Sequence, residues 1–108
     1  MIREELVKAI EEQARIELEE ANKGHKLFNS PHEGWAVLKE EVEEADMELE
    51  EVENALEVMW NGIKYDMDRE TSDAEDIRLS AIGAAAECVQ VAAMCMKIQN
   101  ARKNNYKI

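Results

Sequence analysis

The sequence predicts an all-α protein, an antiparallel helical bundle that is completed by oligomerisation. Four Gly and one Pro among 108 residues, with 5% aromatic residues, suit helices and disfavour sandwiches and barrels. Apolar residues recur in steps of three and four along two long stretches, which is the period of a helix face. The length fits one domain, residues 1–108, whose modest core favours association with further copies.

A first helix is predicted from about Ile2 to Ala21. One face of this segment carries regularly spaced apolar residues, namely Ile2, Leu6, Ile10 and Ala14. Asn22, Lys23 and Gly24 form a stop signal, with Gly24 as the predicted C-cap. Residues 25–29 then make a short connection.

The central helix is predicted to begin at Pro31. Ser30 and Glu33 have the spacing of a capping box, and Pro31 occupies the first helical position, where its missing N–H costs nothing. A single apolar stripe follows at Trp35, Leu38, Val42, Ala45, Leu49, Val52, Leu56, Met59 and Ile63. This pattern allows one helix of about 30 residues, although a kink or short loop near Asn54 is an open alternative.

The last helix is predicted to start near Ser72, where Ser72 and Glu75 resemble a second capping box. Its apolar stripe is Ile77, Ala81, Ala84, Cys88, Val91, Cys95 and Ile98, and the basic tail from Asn100 is expected to fray. Two helical turns separate the two cysteines by roughly 10 Å, too far for a disulfide. We interpret them as core residues of a reduced, cytoplasmic protein.

A formal net charge of −12 excludes some partners. A protein binds nucleic acids and anionic membranes through its own Lys and Arg side chains. Because acids outnumber these side chains here, neither is an expected partner. The most apolar run, residues 82–98, is short for a membrane span and is interrupted by Glu87, Gln90 and Lys97. A free nucleotide remains possible if metal ions lie between its phosphates and the carboxylates.

Glu87 is the sharpest anomaly, because it lies in the middle of an otherwise apolar helix with Gly83 and Gln90 on the same face. A buried carboxylate needs a partner. One interpretation is an ion pair with a base such as Arg15. The other is a metal ligand that faces the carboxylates of the central helix.

The central helix offers carboxylates in pairs three residues apart, Glu41 with Glu44 and Glu40 with Glu43. Side chains at this spacing point the same way and can share a hard cation such as Mg²⁺, and Glu48 continues that side. The spacing alone fits a solvated acidic face equally well. Together with Glu87 on a facing helix, the pairs would form a usable Mg²⁺ site.

A small cationic cluster, Lys23, His25 and Lys26, lies near the start of the central helix. These side chains could contact a substrate phosphate or simply form a solvated loop. His25 and His32 are seven residues apart and belong to no Glu-x-x-His pair, so a di-iron carboxylate bundle is not expected.

Two segments carry a resemblance to a known family. SPHEGWAVLKEEVEE (residues 30–44) is similar to the signature helix of MazG-like, all-α nucleotide pyrophosphohydrolases, especially short phage-type members, and ECVQVAAM (residues 87–94) resembles their second metal helix. The family pattern is ExxE followed by ExxD. Glu41 and Glu44 match the first motif, with Glu40 as a neighbour. Glu87 opens the second motif, and Gln90 stands where the family usually has Asp.

The resemblance implies a helical homodimer or homotetramer that hydrolyses a nucleoside triphosphate to monophosphate and pyrophosphate. It implies Mg²⁺, with Mn²⁺ as a substitute, held by Glu40, Glu41, Glu44, Glu87 and Gln90. It also implies that Glu41 and Glu44 are catalytic, since a carboxylate can orient or deprotonate the attacking water. The competing hypothesis is a non-catalytic, acidic helical oligomerisation or protein-interaction module.

Overall fold

The computed structural model describes residues 1–24 and 27–106, which form three helices: α1 (Glu4–Ala21), α2 (Pro31–Lys64) and α3 (Glu70–Lys103). The three helices pack against each other as an antiparallel bundle, and no strand occurs in these two described ranges. The all-α prediction is therefore confirmed. Oligomerisation stays a prediction.

Helix α1 ends at Ala21 as predicted, but its start and its C-cap differ from the sequence expectation. Its N-cap is Arg3, so Ile2 lies outside the helix and is largely exposed. At the other end, the C-cap is Asn22, whose amide donates to the carbonyl of Leu18. Gly24 is not needed as a left-handed cap, because no described glycine has a positive φ.

Helix α2 keeps half of the predicted capping box. The Ser30 hydroxyl accepts a hydrogen bond from the Glu33 amide at 3.2 Å. The Glu33 carboxylate does not return to Ser30 but accepts from the amide of Asn29 at 3.0 Å. The helix then runs for 34 residues without a break, so the alternative of a loop near Asn54 is wrong.

Helix α3 begins at Glu70, two residues before the predicted start. The Ser72 hydroxyl donates back to the Arg69 carbonyl at 3.0 Å instead of capping, so the second capping box is wrong. Asp73 is only 2% exposed and accepts from the Arg69 guanidinium at 3.0 Å. At the other end the helix continues to Lys103, beyond the expected fraying point at Asn100.

Packing within the chain divides into two compact units. The first packing unit comprises Met1–Val42 with Cys88–Ile108, and its buried core is Phe28, Ala93, Met94 and Ala101. Helices α2 and α3 approach closely in this unit at Gly34. A Cβ at that position would lie 3.0 Å from Ile98 Cγ1 and 3.2 Å from Phe28 Cδ2.

The second packing unit is Glu43–Glu87, which holds the later part of α2 and the earlier part of α3. Ala45 and Ala84 are its buried apolar residues. The two helices again approach at glycines, but polar groups face them here. A Cβ at Gly83 would lie 2.9 Å from Glu48 Oε2.

The apolar stripe of α2 divides into two rows, each with a seven-residue spacing. One row is buried or half-buried, namely Leu38, Ala45, Val52 and Met59. The other row is exposed, between 47% and 61%, and consists of Trp35, Val42, Leu49, Leu56 and Ile63. We call this second set the exposed heptad row. Cys88 and Cys95 are also exposed free thiols, so the prediction that they are core residues is wrong within the single chain.

Helix α3 is long and apolar enough, by length and composition alone, to cross a membrane. The core helix of a bundle can meet the same two criteria. In the single chain, 17% of its most apolar stretch is buried. This helix therefore presents apolar surface beyond what α1 and α2 cover.

Candidate metal centre

Helices α2 and α3 supply three carboxylates that converge. Glu41, Glu44 and Glu87 each offer one oxygen, and these atoms lie within 4.8 Å of one another. Glu41 and Glu44 are one turn apart on the unbroken helix α2, while Glu87 comes from α3. Oxygen ligands of this kind are those that hard cations such as Mg²⁺ prefer. We call these three residues the carboxylate group.

Glu44 and Glu87, both in the second packing unit, are in direct contact. Desolvation raises the pKa of Glu87, and a side-chain hydrogen bond with Glu44 and the charges of Glu44 and Glu48 raise it further. A proton held between two carboxyls would relieve their repulsion, and a cation bound between them would do the same.

Glu48 is a fourth acid near this contact, and its carboxylate lies against Gly83. Gly83 lies one turn before Glu87 on α3, and its missing side chain leaves room for the Glu48 carboxylate. A glycine inside a helix costs about 1 kcal/mol relative to alanine, so its presence needs a packing or functional reason. Here the reason is space for a carboxylate. Sequence reasoning did not propose Glu48 as a site residue, although the pairing of Gly83 with Glu87 on one face was a signal.

The alternative in which Arg15 neutralises Glu87 is wrong. The Arg15 guanidinium pairs with Glu12 on its own helix at 2.9 Å, and both side chains are exposed. Desolvation and the neighbouring acids Glu44 and Glu48 raise the pKa of Glu87, whereas an ion pair with a base would lower it. The carboxylate group thus contains two of the features of a metal site: oxygen ligands and electrostatic repulsion that a cation would relieve.

The Gln90 side chain forms a hydrogen bond with Glu17, a partner that the sequence did not indicate. Its amide Nε2 donates to Glu17 Oε2 on α1 at 2.7 Å, and both side chains are half-buried. This leaves the amide oxygen as the atom with which Gln90 could bind a metal. Nothing distinguished Glu17 in sequence from the other acids of α1, so this contact depends on tertiary packing.

Two further predicted site residues within the described part of the chain, Glu40 and Lys23, do not belong to the carboxylate group. Glu40 is exposed and is not among the three converging acids. Lys23 pairs with Glu20 at 2.9 Å on the surface of α1. The predicted phosphate contacts of His25 and Lys26 lie outside the described residues.

Comparison with protein-family models, curated proteins and solved structures found no match to this chain. The resemblance to MazG-like proteins thus stays a prediction that rests on the residues themselves. What the structure adds is the convergence of Glu41, Glu44 and Glu87 from two antiparallel helices.

Proposed function

We propose that the protein is a Mg²⁺-dependent nucleoside triphosphate pyrophosphohydrolase. The observation that carries the proposal is the carboxylate group, in which three acids converge and in which desolvation and the neighbours Glu44 and Glu48 raise the pKa of Glu87. A structural bundle gains nothing from placing Glu44 beside Glu87, because Glu87 is desolvated there and the charges of Glu44 and Glu48 repel it. In a metal site, the same acids serve as the ligands of a hard cation.

The donor set fits Mg²⁺ or Mn²⁺, with Glu41, Glu44 and Glu87 as the holding residues. When bound, the cation supplies positive charge that lets so acidic a chain accept a triphosphate. Because the pKa of Glu87 is raised, binding of the cation would favour the deprotonated form of this carboxyl. Gln90 contributes at most a neutral oxygen, so metal affinity should be weak until the phosphates of the substrate complete the coordination.

The chemical step is hydrolysis of the bond between the α-phosphate and the β-phosphate. The oxygen of one water molecule bonds to the α-phosphorus. The bond between the α-phosphorus and the bridging oxygen breaks, and the bridging oxygen leaves as part of pyrophosphate. A carboxylate orients the water and takes its proton. Glu41 and Glu44 are the proposed catalytic residues, and Glu48 is a further carboxylate beside them that remains outside the ligand set.

A panel of ribo- and deoxyribonucleoside triphosphates tests the proposal. We expect at least one of them to release pyrophosphate with Mg²⁺ or Mn²⁺ and none to do so in excess EDTA. Monophosphate and pyrophosphate should appear in equal amounts. A complete panel without metal-dependent turnover would overturn the proposed activity.

We also propose that the chain is a homodimer or homotetramer. Its accessible surface is 8142 Å², whereas a folded monomer of this mass exposes roughly 6,100 Å². The excess of about 2,000 Å² per chain is of the size that an obligate homodimer buries. The exposed heptad row has the spacing of a helix that packs along another helix.

The exposed heptad row also favours the second candidate function, a non-catalytic interaction module. In the first function the carboxylate group binds a cation for catalysis, whereas in the second it has no catalytic role. Light scattering coupled to size exclusion in detergent-free buffer should show an assembly larger than one chain, and Leu49→Glu with Leu56→Glu should shift it toward monomer. Self-association without triphosphate turnover would favour the module.

The proposed location is the cytoplasm. Cys88 and Cys95 are free thiols on the surface of the single chain, which agrees with a reducing compartment. Dissolved nucleotides are the proposed substrates, so neither a membrane nor a nucleic acid is a proposed partner.

A further inference from the structure

A cavity of about 480 Å³ lies between helices α2 and α3 within the second packing unit. This volume is in the range of small-molecule sites, roughly 300–1,000 Å³. Ala55, Val58 and Leu79 contribute apolar surface to its wall, and Val58 and Leu79 are 46% and 56% exposed. A flat apolar ligand in the cavity would remove this surface from water, which is favourable.

Arg69 lines the same cavity with a guanidinium group whose orientation is fixed. Its Nε and Nη2 donate to the Asp73 carboxylate at 3.2 and 3.0 Å, and Asp73 is only 2% exposed. Gly62 makes room for this side chain, since a Cβ there would lie 3.2 Å from Arg69 Cγ. Two guanidinium nitrogens thus serve the ion pair, and the flat face of the guanidinium is suited to stack on an aromatic ring.

The polar side chains that line the cavity include Glu51, Asn54, Asp76 and Ser80. A carboxylate only accepts hydrogen bonds, whereas an amide and a hydroxyl both donate and accept. A carbonyl oxygen placed against Glu51 or Asp76 would be repelled, and an amine there would donate to a charged acceptor. The cavity therefore favours a ring that carries an amine at its edge.

The cavity is in register with the carboxylate group. Glu51 is seven residues after Glu44 on α2, and Ser80 is seven residues before Glu87 on α3. Seven residues make two helical turns, about 10 Å, and return a side chain to nearly the same face. Because the two helices are antiparallel, both steps lead in the same direction within the second packing unit. A nucleotide spans a comparable distance from its α-phosphate to the far edge of its base, so phosphates at Glu44 and Glu87 place the base in this cavity.

We propose that this cavity receives the nucleobase of the substrate and selects adenine or cytosine. The inference rests on the proposed function for the identity of the ligand as a nucleotide. The base stacks on the Arg69 guanidinium and covers Val58 and Leu79, and its exocyclic amine donates to Glu51 or Asp76. Adenine and cytosine carry this amine, whereas guanine, uracil and thymine carry a carbonyl oxygen at the corresponding ring position.

Nucleosides test the cavity without phosphate or metal, and hence separately from catalysis. Cytidine and uridine differ by an amine or a carbonyl at one ring position, and adenosine and inosine differ in the same way. Each nucleoside is titrated into the protein in EDTA, and NMR shifts of the Ala55, Val58 and Leu79 methyl groups report binding. Cytidine and adenosine should bind about tenfold more tightly than their partners. Equal affinity within both pairs, no binding of any nucleoside, or shifts that leave these methyl groups unchanged would overturn the proposal.

The double variant Glu51→Gln with Asp76→Asn keeps the size of both side chains and removes their charges. The preference for the amine should fall from about tenfold to about threefold or less, because a neutral amide accepts more weakly and can also donate to a carbonyl. Glu50→Gln with Glu53→Gln, two exposed acids of α2 that are not among the described residues of the cavity wall, is the matched control and should keep the preference. An unchanged preference in the first double variant would also overturn the proposal.

Leu79→Ala removes apolar contact but no polar group. It should weaken all four nucleosides by about threefold or more while the preference within each pair stays the same, and circular dichroism confirms that the variants fold. Amine-selective nucleoside binding without pyrophosphate release would refute the proposed activity but not the cavity. Release from all triphosphates at equal rates, without selective nucleoside binding, would refute the cavity but not the activity.

Discussion

Helices α2 and α3 approach each other at Gly34 in the first packing unit and at Gly83 in the second, but different atoms fill the space. Gly34 faces Ile98 and Phe28, so its missing side chain admits apolar packing. Gly83 faces the Glu48 carboxylate. The same residue type therefore serves stability at one position and keeps acids together at the other.

This difference shows how to separate structural from functional residues in a short helical chain. Apolar packing at Gly34 stabilises the fold in any solution. The acids around Gly83 repel one another and raise the pKa of Glu87, so they destabilise the fold unless a proton or a cation is present. A substitution at Gly34 should thus lower stability, whereas substitutions at the acids near Gly83 should lower activity.

The largest expected effect is on activity, at the acids near Gly83. Glu44→Ala or Glu87→Ala should reduce pyrophosphate release at least about 100-fold, because each removes an anionic ligand of the carboxylate group. The helical signal should persist. Glu53→Ala, an exposed acid on the same helix α2, is the matched control and should retain activity. Similar losses in all three variants would contradict a localised site.

The next effect is on stability, at Gly34. Gly34→Ala should lower the free energy of unfolding by about 1–3 kcal/mol, since the added Cβ would lie 3.0 Å from Ile98 in a packed core. Urea denaturation measures this change. Gly24→Ala is the control, because the nearest atom to its added Cβ is 4.0 Å away. Unchanged stability in Gly34→Ala would contradict this expectation, because it would mean that Ile98 and Phe28 shift at no cost to make room for the added Cβ.

Gly83→Ala should behave in the opposite way. The added Cβ would lie 2.9 Å from the flexible end of Glu48, which can move away, and alanine favours a helix over glycine by about 1 kcal/mol. We expect unchanged or slightly higher stability together with about tenfold slower pyrophosphate release. A strongly destabilised variant would mean that Glu48 is fixed, and full activity would remove Glu48 from the site.

The smallest effect is a dependence of stability on pH in EDTA. The pKa of Glu87 is higher in the folded chain than in the unfolded chain, because of desolvation and its neighbours Glu44 and Glu48. The folded state then binds more protons, so this contribution to stability is complete below the unfolded pKa and is lost as the pH rises through the folded pKa. Urea midpoints from pH 4 to pH 8 should show this loss, with Glu87→Gln lacking it. An identical slope in both proteins would argue against the raised pKa of Glu87.

Much of the fold was predictable because the apolar period is regular. The single helix α2 and the Ser30 hydroxyl cap followed from local pattern alone. The start of α3 was not predictable, since Ser72 and Glu75 imitate a capping box, while the real boundary is set by the ion pair of the exposed Arg69 with the buried Asp73. That pair depends on packing against Gly62, which local sequence does not reveal.

The candidate site was predictable in part for a similar reason. Spacing brought Glu41 and Glu44 to one helix face, and the apolar surroundings of Glu87 marked it as anomalous. The contacts of Glu48 with Gly83 and of Glu17 with Gln90 depend on how facing helices are registered. The exposure of Cys88 and Cys95 could not be predicted either, because an apolar stripe does not say whether its own chain or another copy covers it.

The most direct test of the carboxylate group compares the melting temperatures of the unmodified protein and of Glu87→Gln at pH 8, first in EDTA and then with increasing Mg²⁺. Gln imitates the protonated acid, so Glu87→Gln should be the more stable protein in EDTA. Mg²⁺ should stabilise the unmodified protein more, in proportion to its occupancy of the site. The account predicts that the two curves approach or cross as Mg²⁺ rises. Parallel curves, or no response to Mg²⁺ or Mn²⁺ in the unmodified protein, would contradict it.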